Sequence, residues 1–502
     1  MKIIFLHCAA RPKGQKSFVV MVCSGWFWMT SLLSDFAAAV ARHPERIAIV
    51  DGKGREVSFA QLKSRADALA SGWHRRGIRK GDRVLLAMPL DADLYAALAA
   101  LWSLGATVVL PEPAMGLAGL RHAAKLGGVS AFCSGGAFGL LKFALPELWP
   151  LRHLRPKQSR GTRPDLPAPD ADDIALISFT SGTSGLPKAI PRSHGFLDAQ
   201  HRAIAPMLHS DAPERDLVSF PVFVLINIAS GRTSILPNWK MSRLSRLQPA
   251  TLAQWLARQS VTRALMPPSL CEKLVETAIP ATLHTIFTGG GPVFPDLMRR
   301  LTAGKKDLRL VCVYGSTEAE PIAHLDAADI SADDNRRMTE GKGLLVGQPV
   351  AGLDLRVVDD EVQVAGAHVN SGYLDPAHDV ENKVHDGGVI WHRTGDAGYV
   401  DAQGRLWLLG RSGTEVDLPQ GPSFPFPIEV AARGWEGVTR CALIETAAGA
   451  CLVVEGDARC LADWQAQAAR LGIPKVMQVA NIPMDKRHAS KIDSAALARL
   501  VV

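Results

Sequence analysis

Through roughly the first four hundred residues, segments with helical spacing of apolar residues alternate with short apolar runs of strand character. That rhythm leaves few folds open. Residues 30–52, TSLLSDFAAAVARHPERIAIVDG, predict a helix followed by a strand. Residues 59–75 predict a helix, 82–88 (DRVLLAM) a strand, 92–104 an apolar helix and 106–110 a second strand. Parallel strands need long crossovers, so a βαβα succession implies parallel sheets covered by helices. A basic, Pro-rich connector at 155–169 separates this opening unit from the next strand, 174–179.

From Leu344 the pattern changes to short alternating runs with tight turns. VGQPVAGLDLRVV, EVQVAG and YVDAQGRLWLLG predict antiparallel strands, the last a hairpin turning at 401–404. A Gly/Pro-rich passage at 412–427 reads as a boundary, and the remaining ninety or so residues predict a small α+β unit. The expected class is therefore α/β, with a large N-terminal domain over 29–411 and a smaller C-terminal domain over 412–502. Residues 1–28 are expected to be an extension with no structure of their own. Arg11, Lys13 and Lys16 interrupt its apolar text, and the run at 18–29 is too short to span a bilayer.

With 47% hydrophobic and 21% charged residues, the chain has the composition of a packed globular protein, not of a disordered one. Its net charge of +7 comes from scattered residues, with short basic runs only at 152–163 and 243–246. A nucleic-acid binder concentrates such an excess in a stripe, so nucleic acid is not an expected partner. Peripheral association with a membrane surface is compatible with the charge. The eight cysteines form no CxxC pair, and several, such as Cys312 in LRLVCVYG, sit in apolar runs as small hydrophobes. This is the usage of a reduced, cytoplasmic protein.

The run Thr180-Ser181-Gly182-Thr183-Ser184-Gly185-Leu186-Pro187-Lys188 follows the apolar strand ALISF. Glycines leave backbone N–H groups free to converge on an anion, hydroxyls add donors, and Lys188 adds a point charge. It is not a Walker A loop, because Pro187 precedes the lysine and Ala189 follows it. Its plainer reading is a Ser/Gly-rich surface loop.

This run resembles the phosphate-binding loop of the adenylate-forming superfamily, which includes acyl-CoA synthetases, luciferases and nonribosomal peptide adenylation domains. Further matches follow in that family's order. Thr288-Gly289-Gly290-Gly291-Pro292 resembles its adenine-contacting turn, and Tyr314-Gly315-Ser316-Thr317-Glu318 its YGxTE motif. Thr394-Gly395-Asp396 resembles its ribose-binding TGD, Gly410-Arg411 its domain hinge, and Lys491 its catalytic lysine. Each short match is weak alone; six in order are strong. The resemblance implies stacked αβ layers with a distorted β-barrel, then a mobile C-terminal lid carrying Lys491. It implies ATP and Mg²⁺ as cofactors. Thr180 to Lys188 would hold pyrophosphate, Glu318 the metal and Thr317 the α-phosphate. Tyr314 would stack on adenine, Asp396 would accept the ribose hydroxyls with Arg411 assisting, and Lys491 would bridge carboxylate and α-phosphate. Taken singly, Asp396 also reads as a turn residue, Glu318 as a surface residue near a helix cap, and Lys491 as a solvated lysine.

The end of the chain discriminates among adenylate formers. Acyl-CoA synthetases carry an Asp or Lys hinge and an IKxxGxxIxPxEIE-like segment; here stand Ser412-Gly413 and EVDLPQGPSFPFPIEVAA, with only the PxE ending at Glu429 retained. This resembles the GPxxxxPxE segment of the β-lactone synthetases of bacterial olefin biosynthesis. So do the RHxxKI element at Arg487 to Ile492, the run from His194 to Gln200, and the TEAxP extension from Thr317 to Pro321. The compressed stretch 358–373 and the short C-terminal unit depart from that pattern.

The apolar text FPVFVLINI at 220–228 holds no acid to pair with a substrate ammonium, which disfavours amino acids. His194, Phe220 and Phe223 are the expected lining of an acyl pocket; the plainer reading of 220–228 is an ordinary buried strand. The expected activity is activation of an aliphatic, 3-hydroxylated fatty acid as acyl-AMP, followed by β-lactone closure. The alternatives are transfer to a thiol of CoA or an acyl-carrier protein, which leaves CoA open as a co-substrate, and an inactive nucleotide-binding relative. Intact Lys188, Glu318, Asp396 and Lys491 speak against the last.

Overall fold

The computed structural model describes residues 31–111, 115–156, 161–180, 187–447, 449–485 and 490–501. The extension expected at 1–28, residues Ser181, Gly182, Thr183, Ser184 and Gly185 of the phosphate loop, and Arg487 to Ala489 of the tail lie outside them.

The opening unit forms as the apolar periodicity predicts. Helix Leu32–Arg42 starts at Ser31, whose hydroxyl accepts from the Ser34 N–H while Ser34 caps the Ser31 N–H in return. Helix Phe59–Arg75 starts with the same reciprocal device between Ser58 and Gln61. These caps satisfy donors that the first helical turn cannot satisfy itself. Helix Ala92–Ser103 follows an Asp91 cap and is buried nearly all round. The helices cover a six-stranded sheet whose spatial order is Arg152–Leu154, Ala131–Ser134, Arg83–Ala87, Thr107–Val109, Ile174–Phe179, Ala189–Ser193. All its neighbours are parallel except the last pair.

A fourteen-stranded sheet forms the second layer. Its parallel half contains Ile47–Val50, Thr233–Ile235, Arg215–Val218, Arg263–Met266, Thr285–Gly289 and Arg309–Ser316. Its antiparallel half holds the strands expected beyond Leu344: Leu344–Pro349, Leu353–Val358, Glu361–Gly366, Val389–Val400 and Leu406–Arg411. The strands expected to form the barrel thus continue edge to edge into the parallel ones. The join is narrow. Strand Ala319–Asp326 meets Leu344–Pro349 through two register pairs, Ala323 with Pro349 and His324 with Gln348. A Cβ on Gly347 would sit 2.0 Å from the His324 carbonyl oxygen, so only glycine fits there.

The passage at 412–427 is more ordered than a bare boundary. It folds into a short hairpin, Val416–Leu418 with Gly421–Ser423, and Pro425 then opens helix Pro425–Ala432. A three-stranded sheet, Val438–Thr446, Gly449–Gly456 and Lys475–Val479, follows with helices Leu461–Arg470 and Ser494–Val501. Trp464 is fully buried in that small core. This unit is fastened to the large one by ion pairs. Arg433, buried to 5% exposure, donates through Nε and Nη2 to the two carboxylate oxygens of Asp296, each at 3.0 Å, and lies over the Phe294 ring. Arg440 joins Glu272 at 2.5 Å and Glu455 at 2.8 Å.

The stretch 220–228 is not a strand. Pro221–Ala229 is a helix, with the proline at its first turn, where its missing N–H costs nothing. Among the described residues no helix is long and apolar enough to cross a membrane.

Candidate active site

The YGxTE-like and TGD-like motifs meet across the large sheet. Tyr314, on strand Arg309–Ser316, donates its phenol hydrogen to Asp396 Oδ2 at 2.6 Å. Arg411, at the end of strand Leu406–Arg411, donates to Asp396 Oδ1 at 2.8 Å and to the Thr394 carbonyl at 3.1 Å. Asp396 and Arg411 are register partners in the antiparallel ladder, so the pair is set by strand pairing. Gly395 turns the chain at φ +66°, and a Cβ there would meet the Arg411 guanidinium at 2.7 Å. Burial, reinforced by the Asp396 charge, holds the Tyr314 phenol well above its ordinary range, so it stays a donor at neutral pH.

A second cluster surrounds Glu318. Tyr373 donates to Glu318 Oε1 at 2.9 Å, and the ammonium groups of Lys188 and Lys383 each lie 5.5 Å from the centre of the Tyr373 ring. Lys188 also donates to Asn382 Oδ1 at 3.2 Å, and its carbonyl accepts from the Thr180 N–H at 3.0 Å, which closes the base of the phosphate loop. Lys383 is buried, donates to the Asn370 carbonyl and lies 3.3 Å from His392 Nδ1. Burial pulls the Lys383 ammonium down to about 8, and burial with the neighbouring Lys383 charge pulls His392 down to about 4. Two cations therefore flank the tyrosine that holds the Glu318 carboxylate.

The third element is the tail. Asp485 closes the loop carrying Lys491: its carboxylate accepts from the N–H groups of Ser490 and Lys491, each at 2.8 Å, and its own N–H donates to the Lys491 carbonyl. Ser490 then sits against the adenine-type turn. Its Oγ accepts from the Ser269 N–H at 3.4 Å, and a Cβ on Gly291 would lie 2.6 Å from Ser490 Cβ. Phe220 closes the other side, 3.3 Å from where a Cβ of Gly290 would stand, and packs against Phe223 with ring centres 6.0 Å apart. Lys491 itself is exposed, and Pro292 follows Gly291 half-buried.

The expected site residues thus meet in three sets: Tyr314 with Asp396 and Arg411, Glu318 with Lys188 about Tyr373, and Gly290 and Gly291 between Phe220 and the tail residue that precedes Lys491. Gly315 packs against the Ala319 carbonyl, and Ser316 Oγ is buried without a partner among the described residues. His194 stands apart from them. It begins helix His194–Ile204, is 4% exposed, and packs edge-on against the core residue Trp102. Burial holds its imidazole down at about 4, so it is neutral.

Motif reading missed three residues that the structure adds, Tyr373, Lys383 and Arg192, and gave no part to Glu320 within the run from Thr317 to Pro321. Arg192, 3% exposed, donates from Nη2 to the Thr317 carbonyl at 2.6 Å, while its Nε has no partner among the described residues. Burial pushes the Glu320 carboxyl up to about 7, opposed by the charge of Arg192.

Known proteins bear on this geometry. The model of a family described as AMP-binding enzyme matches residues 36–374, more than half of the chain. An olefin β-lactone synthetase of Stenotrophomonas maltophilia (strain K279a) is 28% identical, with 88% of this chain and 90% of that protein covered. One of Xanthomonas campestris pv. campestris is 27% identical, with 93% and 97% covered. Among solved structures, the o-succinylbenzoate coenzyme A synthetase of Bacillus subtilis in complex with ATP and magnesium ion superposes with a TM-score of 0.74. It covers 93% of this chain and 98% of that one at 20% identity. The ordered motifs, their meeting in space and the family match lead to one conclusion: the chain belongs to the AMP-binding enzyme family and is an adenylate-forming ligase.

Proposed function

We propose that the enzyme uses ATP to activate an aliphatic 3-hydroxy fatty acid and then closes it to a β-lactone. The observation that carries the first step is the seating of the tail. Ser490 packs against Gly291 and Ser269, which brings the backbone of Lys491 beside the turn whose other side faces Phe220; in this reading the Lys491 side chain extends from there to the reacting groups. In this reading Tyr314 lines the adenine site, Asp396 accepts the ribose hydroxyls with Arg411 beside it, and the loop from Thr180 to Lys188 holds pyrophosphate. Thr317 contacts the α-phosphate, and Lys491 neutralises charge shared by the carboxylate and that phosphate. The carboxylate oxygen attacks the α-phosphorus in line, and pyrophosphate leaves. Catalysis of such a transfer is mainly positioning and electrostatics, which fixed donors supply without reorganising.

Glu318 suits Mg²⁺: it is a hard carboxylate held at one oxygen by Tyr373, and magnesium sites commonly use one or two carboxylates with substrate phosphates. Bound there, the ion would neutralise phosphate charge. Residues 412–502 act as the lid, turning about Arg411 and the Ser412-Gly413 linker and excluding water from the mixed anhydride.

Lactone closure is supported by similarity to the two olefin β-lactone synthetases over most of their length. The absence of an IKxxG lead before Glu429 agrees. In this step the 3-hydroxyl oxygen bonds to the acyl carbon, the acyl–phosphate bond breaks, the hydroxyl proton is released and AMP leaves. Fatty-acid-like substrate, ATP and Mg²⁺ suffice in this reading, with no thiol acceptor.

The test is AMP release over time from ATP, Mg²⁺ and a long-chain 3-hydroxy acid, without CoA or carrier protein. Sustained turnover with a product lacking one water relative to the acid is expected. A single-turnover burst that restarts when CoA or an acyl-carrier protein is added would replace this reading with thiol ligation.

A further inference from the structure

The connection between strands Ala131–Ser134 and Arg152–Leu154 is apolar on both of its faces. The two strands are parallel neighbours at one edge of the six-stranded sheet, and residues 135–151 cross between them in three short helical pieces, Gly136–Leu140, Leu141–Ala144 and Pro146–Leu148. Inward, Phe138, Leu145 and Leu148 pack with Phe132 of the sheet. Outward stand Leu140, Phe143 and Trp149, with Phe143 80% exposed and Trp149 60% exposed. Among the described residues nine large apolar side chains are exposed. Four of them fall here, counting Leu117 on the adjoining helix Gly116–Leu126, and so do both of the aromatic ones. An element that is apolar all round belongs between two apolar partners, and the sheet supplies only the inner one.

The charge around this surface names the outer partner. Residues 116–163 hold eight lysines and arginines against a single acid, Glu147, and Arg121 already engages that acid at 2.7 Å. Lys142 lies within the crossover, and its carbonyl accepts the Trp149 indole N–H at 2.7 Å. The one polar group of that indole is thereby satisfied, and the exposed remainder of the ring is carbon. Arg155 is exposed just beyond the edge strand, and Pro156 after it lies 3.4 Å from where a Cβ of Gly135 would stand, at the start of the crossover. Exposed Trp, Phe and Leu beside cations, with no free acid nearby, match the headgroup boundary of a bilayer. Aromatic side chains rest at that depth, and each lysine or arginine gains from anionic lipid.

We propose that the crossover at 136–149 is a docking surface for an anionic lipid bilayer, with Leu140, Phe143 and Trp149 entering the headgroup boundary and Lys142 and Arg155 meeting lipid phosphates. This goes beyond the reaction proposed above and does not depend on it, since docking is read as binding without turnover. The contact is peripheral: three side chains on a short crossover reach the boundary, and reversible attachment follows from so small an apolar area joined to a few charges.

The experiment floats the full-length enzyme with vesicles of phosphatidylcholine alone and of phosphatidylcholine mixed with phosphatidylglycerol. Wild type is expected to bind the mixed vesicles and to leave them as salt rises. Phe143→Ser removes a ring that is mostly in water already, and is expected to lower the partition coefficient about tenfold. Lys142→Gln with Arg155→Gln is expected to lower it about tenfold on the mixed vesicles only. Thermal unfolding and vesicle-free pyrophosphate exchange are expected to stay at wild-type values in these variants. Wild type that floats with neither vesicle overturns the proposal. Phe143→Ser that floats as well as wild type also overturns it, and moves the lipid contact to another segment. So does a wild-type dimer, seen by sedimentation velocity, that Phe143→Ser dissociates, because a second copy of the chain then covers the patch.

Discussion

Tyr314 and Asp396 are 82 residues apart in the chain and joined by a 2.6 Å hydrogen bond, with Arg411 on the other carboxylate oxygen. The carboxylate is thus held in one orientation by groups from two strands before any nucleotide is considered. Asp396→Asn removes the charge that Arg411 faces and half of the acceptor capacity offered to a ribose. A tenfold to hundredfold rise in KM for ATP is expected, about 1.5–3 kcal/mol. Pyrophosphate exchange at varied ATP, with thermal unfolding as a control for folding, checks it.

The tail contact gives a paired prediction. Lys491→Ala should lower the adenylation rate by about a hundredfold or more, the scale of losing one charge-stabilising donor, while ATP binding stays nearly intact. Gly291→Ala should produce a similar loss by a different route, since its methyl group would collide with Ser490 Cβ and the Ser490 carbonyl. Calorimetric ATP titration alongside exchange kinetics separates binding from rate. Unchanged turnover in Lys491→Ala would remove that lysine from the mechanism.

The clamp between the two units should be measurable directly. Arg433→Met leaves Asp296 without its bidentate partner, and breaking a buried pair from one side costs about 3–5 kcal/mol. The expected result is faster proteolysis in the linker after Arg411, with slower adenylation. Equal cleavage rates in variant and wild type would show that other contacts hold the unit.

Glu429 sets a pH dependence of stability. It is 6% exposed and accepts from the Leu443 N–H at 3.0 Å, and burial pushes its carboxyl up to about 7 from an ordinary 4.5. The folded state therefore binds its proton more tightly than the unfolded chain. Its stabilising effect is complete below about pH 4.5 and is lost as pH rises through 7. Glu429→Gln should be nearly neutral at pH 5 and stabilising by about 1–3 kcal/mol at pH 8.5, by urea unfolding at both.

Much of this architecture was legible because its signals are local. The helix at 59–75 is bounded by Ser58 and its cap partner Gln61, and the strand at 174–179 is a short apolar run; both form over those very residues. The stretch 220–228 was not legible, since a short apolar run has no polar side to set a period, and Pro221 favours a helix start as readily as a strand edge. The site divides the same way. Tyr314, Glu318 and Asp396 announce themselves through neighbours in sequence. Tyr373 reaches Glu318 from 55 residues away, and Lys383 reads as an ordinary surface lysine until the fold buries it. Arg192 gains its place only once the fold brings it to the Thr317 carbonyl, 125 residues away.

The narrow join at Gly347 has a mechanical consequence. The parallel and antiparallel halves of the large sheet share two register pairs there, against five at the neighbouring join between Arg309–Ser316 and Ala319–Asp326. Pulled apart, the two halves should part along this line. Tyr314 stands on one side of it and Asp396 on the other, so their hydrogen bond is a stitch across it. A molecule gripped by both residues would tighten the same seam, and resistance to unfolding at Gly347 becomes a gauge of whether the pocket is filled.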